Sequence, residues 1–224
     1  MKKYAVIVAG GSGQRMGSDL PKQFLLLKGK PLIQYTIQSF LDAYDDMQII
    51  LVLPRQQMSH GQDIIRQMNV GDRVQMVSGG TTRFDSVKNG LQAVTSPSIV
   101  FVQDGVRCLV SQRLIRSCYN QAVDKGSAVP AVAATDSIRI DEGDLHYTID
   151  RNKIRIIQTP QTFRSEILLE AFNQEYSPAF TDEATVVEAA GHKVFLIEGE
   201  YNNLKITRPI DLCIAEKLLE ELVQ

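Results

Sequence analysis

The chain has 224 residues, of which 44% are hydrophobic and 22% charged, with a formal net charge of -2. This length can bury one large α/β domain or two small ones, and the near-balanced charge excludes a general nucleic-acid binder, which carries a basic excess. No stretch is apolar for long enough to span a membrane, and Met1-Lys2-Lys3 leads straight into a strand without a signal-like apolar region. Cys108, Cys118 and Cys213 are widely spaced and form no C-x-x-C, so they read as reduced thiols of a cytoplasmic protein. The scattered His60, His146 and His192 argue against a histidine-built metal site.

The first element is a short β-branched run over 4–8, which reads as a buried strand. It runs into Ala9-Gly10-Gly11-Ser12-Gly13-Gln14-Arg15-Met16-Gly17 and then Leu20-Pro21-Lys22-Gln23. Glycines there let backbone N–H groups approach a ligand and form a concave anion site, with Arg15 and Lys22 adding positive charge at the rim. The ligand this chemistry suits is a polyphosphate. The loop is not a Walker A motif, because Lys22 comes too late and no Ser/Thr follows it. Nor is it a dinucleotide fingerprint, because Met16 stands where the third glycine belongs and Pro54-Arg55 where an acid would end the second strand.

Strand and helix then alternate. A helix is expected over 31–44, a doubly buried strand over 48–53, a helix over 55–68 and a strand over 73–77. A helix over 82–94, a strand over 98–102, a helix over 112–124 and a strand over 127–132 follow. This rhythm predicts a mostly parallel, Rossmann-like α/β sheet with helices on both faces, whose ligands sit beyond the carboxyl ends of the strands. The rhythm breaks at 136–158, where two alternating runs flank the turn Asp141-Glu142-Gly143-Asp144. This β-arm is too small to be a stable domain alone and is expected to protrude and pack on a second subunit, leaving one domain over 1–224. Helices over 164–172 and 182–190, a strand over 193–197 and a C-terminal helix over 209–222 complete the pattern. Leu212, Ile214, Ala215, Leu218 and Leu219 are expected to face inward on that last helix.

Three further stretches carry chemistry. Gly79-Gly80-Thr81-Thr82-Arg83-Phe84-Asp85-Ser86 opens a helix: its backbone amides and Ser86 could read a base edge, or it is a turn with an N-cap at Thr81 or Thr82. Asp104, followed by Gly105, Val106 and Arg107, lies at a strand's carboxyl end, where an aspartate can bind Mg²⁺ bridging triphosphate oxygens. The pair also reads as a plain Asp-Gly turn. Gly105 would give a nucleotide room, and Arg107 would tie down the loop or a phosphate. Lys205, set between apolar residues, is expected to aim at the site from the end of the last strand. Asp182 and Glu183 read as capping acids of a first helical turn. Arg151, at the return of the arm, could reach a neighbour's substrate phosphate by a bidentate contact.

Taken together, A-G-G-x-G-x-R-M, L-P-K-Q, G-G-x-x-R-x-x-S-V, D-G-V-R, Q-T-P-Q, T-D-E-A and N-x-K-I-T-R-P run nearly end to end. The chain resembles the 2-C-methyl-D-erythritol 4-phosphate cytidylyltransferases. The resemblance implies cytidylyl transfer from CTP to a polyol phosphate with Mg²⁺ and release of pyrophosphate, by a homodimer built with swapped arms. It implies that Arg15, Lys22 and Lys205 hold the triphosphate and transition state, and that Ala9, Gly10, Gly11, Gly13, Gly79, Gly80, Ser86, Asp104 and Gly105 receive the nucleotide. Asp104 would also sit at the metal, and Arg107, Thr135, Arg151 and Thr181 would hold the acceptor. The chain departs from the common H-D-A-A-R-P at Gln103-Asp104-Gly105-Val106-Arg107-Cys108, and Asn202 stands where an aspartate is frequent. The D-G-V-R and A-G-G forms also occur in ribitol-5-phosphate cytidylyltransferases, which makes ribitol 5-phosphate the alternative acceptor. A nucleotide-binding regulator would have no need of Lys22, Asp104 and Lys205 together.

Overall fold

The computed structural model describes residues 1–10 and 20–222. In chain order the elements begin with β1 (Lys2–Val8), the short β2 (Leu26–Leu27) and β3 (Lys30–Pro31), then α1 (Leu32–Ala43), β4 (Met47–Leu53) and α2 (Met58–Met68). They continue with β5 (Val74–Ser78), α3 (Arg83–Leu91), β6 (Ser98–Asp104), α4 (Gln112–Lys125) and β7 (Ser127–Ala133). The remainder comprises β8 (Ile138–Asp141), β9 (His146–Ile149), β10 (Arg155–Ile157), β11 (Gln161–Arg164), α5 (Ser165–Ala171), α6 (Glu183–Ala189), β12 (Leu196–Glu198) and α7 (Pro209–Leu222).

The main sheet runs β10-β7-β11-β6-β1-β4-β5, with β12 paired to β7. β1 pairs in parallel with β4 and β6, and β5 extends the parallel set beside β4. The apolar runs of β1, β4 and β6 are continuous because both of their faces are covered, as a parallel sheet with crossover helices requires. Alternate residues enter separate cores. Ala5, Ile7, Ile49, Leu51 and Phe101 pack with α1, α2 and α4. Tyr4, Val6, Ile50, Val52 and Val100 pack with α3, α5 and α6. A smaller cluster joins Leu27, Leu32, Val106, Cys108 and Ile206 to Ala215 of α7.

The structure corrects several expectations. β11 was not anticipated: it runs antiparallel between β6 and β7, where its buried residues replace a crossover strand. The expected strand over 193–197 is confined to β12, because its ladder with β7 spans only Leu196 to Glu198. Lys205 therefore does not end a strand; it lies in an extended segment fixed by Ile206 N–H donating to the Val106 carbonyl at 3.0 Å. Ile214 is not inward: it is 47% exposed, while Ala215 takes the buried position. β8 and β9 do form an antiparallel hairpin and a separate two-stranded sheet, with mostly exposed residues. Among the described residues no helix is long and apolar enough to cross a membrane.

α3 lies against the sheet at glycine. A Cβ on Gly90 would come within 2.7 Å of Val6 and 2.9 Å of Val52, both sheet side chains of the second core. On another side of α3, Phe84 stacks on Phe172 with centroids 4.8 Å apart and on Phe180 at 5.6 Å, which ties α3 to the segment before α6. Gly90→Val is expected to lower stability by about 1–3 kcal/mol through overpacking. Thermal denaturation checks this, with a fall in Tm of roughly 2–4 °C per kcal/mol.

Candidate active site

A cleft of ≈ 370 Å³ opens beyond the carboxyl ends of β1, β4 and β6, bounded by the Gly79–Gly80 turn and the start of α3. Ala9, Gly10, Lys22, Gly79, Gly80, Ser86, Asp104 and Lys205 line it. These eight positions were expected at the site from the sequence. Gly11, Gly13 and Arg15, expected beside them, lie outside the described residues.

Backbone and side-chain clips set the geometry. Ala9 N–H donates to the Val52 carbonyl at 3.0 Å, and Gln23 Nε2 donates to the Ala9 carbonyl at 2.7 Å. Gln23 is buried, so the short helical turn Lys22–Phe24 is pinned beneath the end of β1, and this presents Lys22 to the cleft while leaving it 8% exposed. Gly79 N–H donates to the Leu53 carbonyl at 2.8 Å and Gly80 N–H to Ser86 Oγ at 3.1 Å. Ser86 Oγ in turn donates to the Thr82 carbonyl at 2.9 Å. The amides expected to read a base are thus already engaged within the chain. Thr82 caps α3 with a reciprocal Asp85 capping box, so the N-cap reading of this loop also holds.

Asp104 is the electrostatic centre. It is 7% exposed, at the end of β6, and its N–H donates to Thr159 Oγ1 at 3.1 Å. Lys205 Nζ lies 3.0 Å and Arg107 Nε 3.4 Å from Oδ2, whereas Arg83 Nη2 lies 3.5 Å from Oδ1. Burial pushes the carboxyl up, but the charges of Arg83, Lys205 and Arg107 together overcome it and hold the group at about 2. Arg83 also pairs with both oxygens of Glu183, a first-turn residue of α6 that is 1% exposed. Burial pushes the Glu183 carboxyl up against the pull of Arg83. Burial works against the Arg83 guanidinium, yet Glu183 and Asp104 raise it further above its ordinary value, so it stays charged.

Two expected residues face elsewhere. A Cβ on Gly105 would sit 2.8 Å from Ala9 Cβ and 2.8 Å from Ile33 Cδ1, so this glycine lets the turn after β6 pack closely on the end of β1 and on α1. Arg107 is buried below the cleft, where Nη1 donates to the Asn203 carbonyl at 2.7 Å. Of its two expected roles, it fills that of tying down the loop. Three others stand apart from the cleft lining. Thr135, Arg151 and Thr181 are exposed, and Arg151 Nη1 donates to the Thr135 carbonyl at 2.7 Å.

Sequence reasoning missed Arg83 and Glu183 as site residues, and it noted the Q-T-P-Q motif without assigning it a role. Gln158 clips Glu200 through both its amide atoms, and Asn203 Nδ2 donates to the Thr159 carbonyl at 2.8 Å. Gln161 Nε2 donates to Asp182 Oδ2 at 2.9 Å, and its Oε1 accepts from Ala184 N–H at 2.8 Å. One short segment therefore holds the end of β6, the Lys205 strap and the start of α6 together. The signal available was a pair of glutamines flanking Thr-Pro in an otherwise apolar context.

The arrangement fits a divalent cation on a polyphosphate. Mg²⁺ is commonly held by one or two carboxylates plus substrate phosphate oxygens. Asp104 supplies one ionised carboxylate whose Oδ1, among the described residues, has the single 3.5 Å contact with Arg83. No group of three or more His, Cys, Asp or Glu that could hold a metal occurs among the described residues.

A carboxyl held below its ordinary 3.8 stabilises the fold above that value, and the contribution fades as pH falls through about 2. Asp104→Asn is therefore expected to cost about 2 kcal/mol at pH 7. In denaturant titrations the gap to the wild type should narrow from pH 4 downward.

The sequence model of the family 2-C-methyl-D-erythritol 4-phosphate cytidylyltransferase (IspD) matches residues 4–221. The chain is 44% identical over 219 residues to the 2-C-methyl-D-erythritol 4-phosphate cytidylyltransferase of Phocaeicola vulgatus, covering 98% of this chain and 100% of that one. It is 46% identical over 222 residues to the enzyme of the same name from Bacteroides thetaiotaomicron, with 98% and 100% covered. Among solved structures it is similar to 4-diphosphocytidyl-2C-methyl-D-erythritol synthase from Anaerococcus prevotii. That match has a TM-score of 0.83 and 27% identity, over 97% of this chain and 96% of that one.

Proposed function

The chain belongs to the 2-C-methyl-D-erythritol 4-phosphate cytidylyltransferase family, and from that premise we propose that it transfers the cytidylyl group of CTP to 2-C-methyl-D-erythritol 4-phosphate, a step of isoprenoid biosynthesis. The observation that carries this reading is the convergence of Lys22, Lys205 and Asp104 on one cleft beside the Gly79–Gly80 turn. The family match and the relatives favour methylerythritol phosphate over ribitol 5-phosphate as the acceptor.

In this reading a phosphate oxygen of the acceptor attacks the α-phosphorus of CTP in line with the leaving group. The new P–O bond forms as the bond to the bridging oxygen breaks, and its electron pair departs with pyrophosphate. A phosphate dianion is already nucleophilic, so catalysis is positioning and charge stabilisation. Lys22 and Lys205 take up charge on the triphosphate, with Arg15 as a third cation. Carbonyl oxygens of the Gly79–Gly80 turn accept from the cytosine amine. Asp104 is the carboxylate that would hold magnesium, which when bound offsets triphosphate charge.

The partnership we propose is a homodimer through the β8–β9 hairpin. Arg151 stands with Thr135 outside its own chain's cleft, which suits delivery to the acceptor phosphate of a neighbouring subunit. Thr181 would complete the acceptor site. The unpaired cysteines, of which Cys108 and Cys118 are buried, suit the cytoplasm.

Pyrophosphate release is the direct test, with CTP, Mg²⁺ and either methylerythritol phosphate or ribitol 5-phosphate. Release with the first alone is expected. Release with ribitol 5-phosphate alone would overturn the acceptor, and release with neither would overturn the transfer. Lys22→Ala should lower kcat by about 10²-fold or more, the scale for one preorganised donor. Lys22→Ala and Arg151→Ala chains, each nearly inactive, should recover about a quarter of wild-type activity when unfolded together and refolded as mixed dimers, because each heterodimer holds one intact site. No recovery would exclude a site shared between subunits.

A further inference from the structure

Glu183 is a buried carboxylate for which the transfer chemistry has no use. It is 1% exposed and caps neither CTP nor acceptor in the reading above. Its two oxygens take both terminal nitrogens of Arg83, Nη2 at 3.0 Å and Nη1 on the other oxygen. The same Nη2 reaches Asp104 Oδ1 at 3.5 Å. The two oxygens of Asp104 are consequently unequal: among the described residues, Oδ2 is held by Lys205 at 3.0 Å and Arg107 at 3.4 Å, while Oδ1 has the long contact to Arg83.

A guanidinium beside two carboxylates gives its fork to one of them, because bidentate pairing fixes both nitrogens in one plane. Here the fork goes to Glu183. Without that carboxylate, Arg83 would be a buried-edge cation whose nearest anion is Asp104, and closing the remaining gap would cover Oδ1.

We propose that Glu183 is a positioning residue that holds Arg83 back from Asp104 and so keeps Asp104 Oδ1 open to the divalent cation carried by the nucleotide. The inference rests on the reading of the cleft as a CTP site. It makes the start of α6 part of the nucleotide half of the site, although α6 lies on the side where the acceptor is expected.

The test is calorimetric binding of CTP, without acceptor, in Mg²⁺ and in EDTA. The quantity read is the gain in CTP affinity that Mg²⁺ brings. Glu183→Gln keeps the shape and removes the charge, and it should cut that gain by roughly 10–100-fold, the usual cost of losing a group that orients a metal ligand. Affinity in EDTA should change little. Glu183→Asp, which keeps the charge, should retain most of the gain. Arg83→Gln combined with Glu183→Gln removes the cation that would cover Oδ1, and it should restore the gain toward the wild type. A merely structural Glu183 would not be rescued by a second substitution. A full Mg²⁺ gain in Glu183→Gln, or no restoration in a folded double variant, overturns the inference. A wild type that binds CTP equally with and without Mg²⁺ also overturns it while leaving the nucleotide site standing. A wild type that binds no CTP overturns the functional reading itself.

Discussion

The site depends on one constraint: a carboxylate buried at the end of a central strand must be compensated. Asp104 sits on β6, whose residues are all buried, and its desolvation is offset by Arg83, Arg107 and Lys205 from three different parts of the chain. Each of those cations is itself fixed. Arg83 is tied to Glu183, Arg107 to the Asn203 carbonyl, and the Lys205 segment to Val106. A surface ion pair would contribute little and could form or dissolve freely. A buried one is different, since removing any partner leaves an uncompensated charge. Asp104 thereby sets where α3, the loop after β6 and the Lys205 strap meet.

The sheet supplies the rigidity that this network needs. Parallel pairing of β1, β4 and β6 aligns their carboxyl ends, so Val8, Leu53 and Asp104 reach the same edge. Helices on both faces prevent these ends from shifting relative to one another. Glycine at positions 90 and 105 lets α3 and α1 approach the strands closely enough to set the cleft walls. The aromatic stack of Phe84 with Phe172 and Phe180 then carries the placement of α3 outward to the segment that leads into Glu183.

Much of this was legible in the sequence. Continuous β-branched runs marked β1, β4 and β6, and alternation with amphipathic segments implied the parallel sheet. The glycine turns and the cations at Lys22 and Lys205 pointed to a polyphosphate cleft, and eight expected positions line it. What escaped notice was of another kind. β11 is a short antiparallel strand whose identity depends on the vacancy between β6 and β7, and nothing local in Gln161–Arg164 announces that. Gln158 and Gln161 look like surface residues by type, yet each spends its amide on a segment distant in the chain.

Local sequence determined the periodicities, the turns and the residue chemistry at the mouth of the sheet, because burial on two faces and glycine-rich backbone are written in runs of neighbouring residues. Tertiary structure alone decided which charges pair. Glu183 reads locally as a capping acid, and Arg83 is one more residue of the turn that opens a helix. Only the fold brings residues 100 positions apart into one ion pair, and only there does the low polarity of the interior make their partition a matter of consequence.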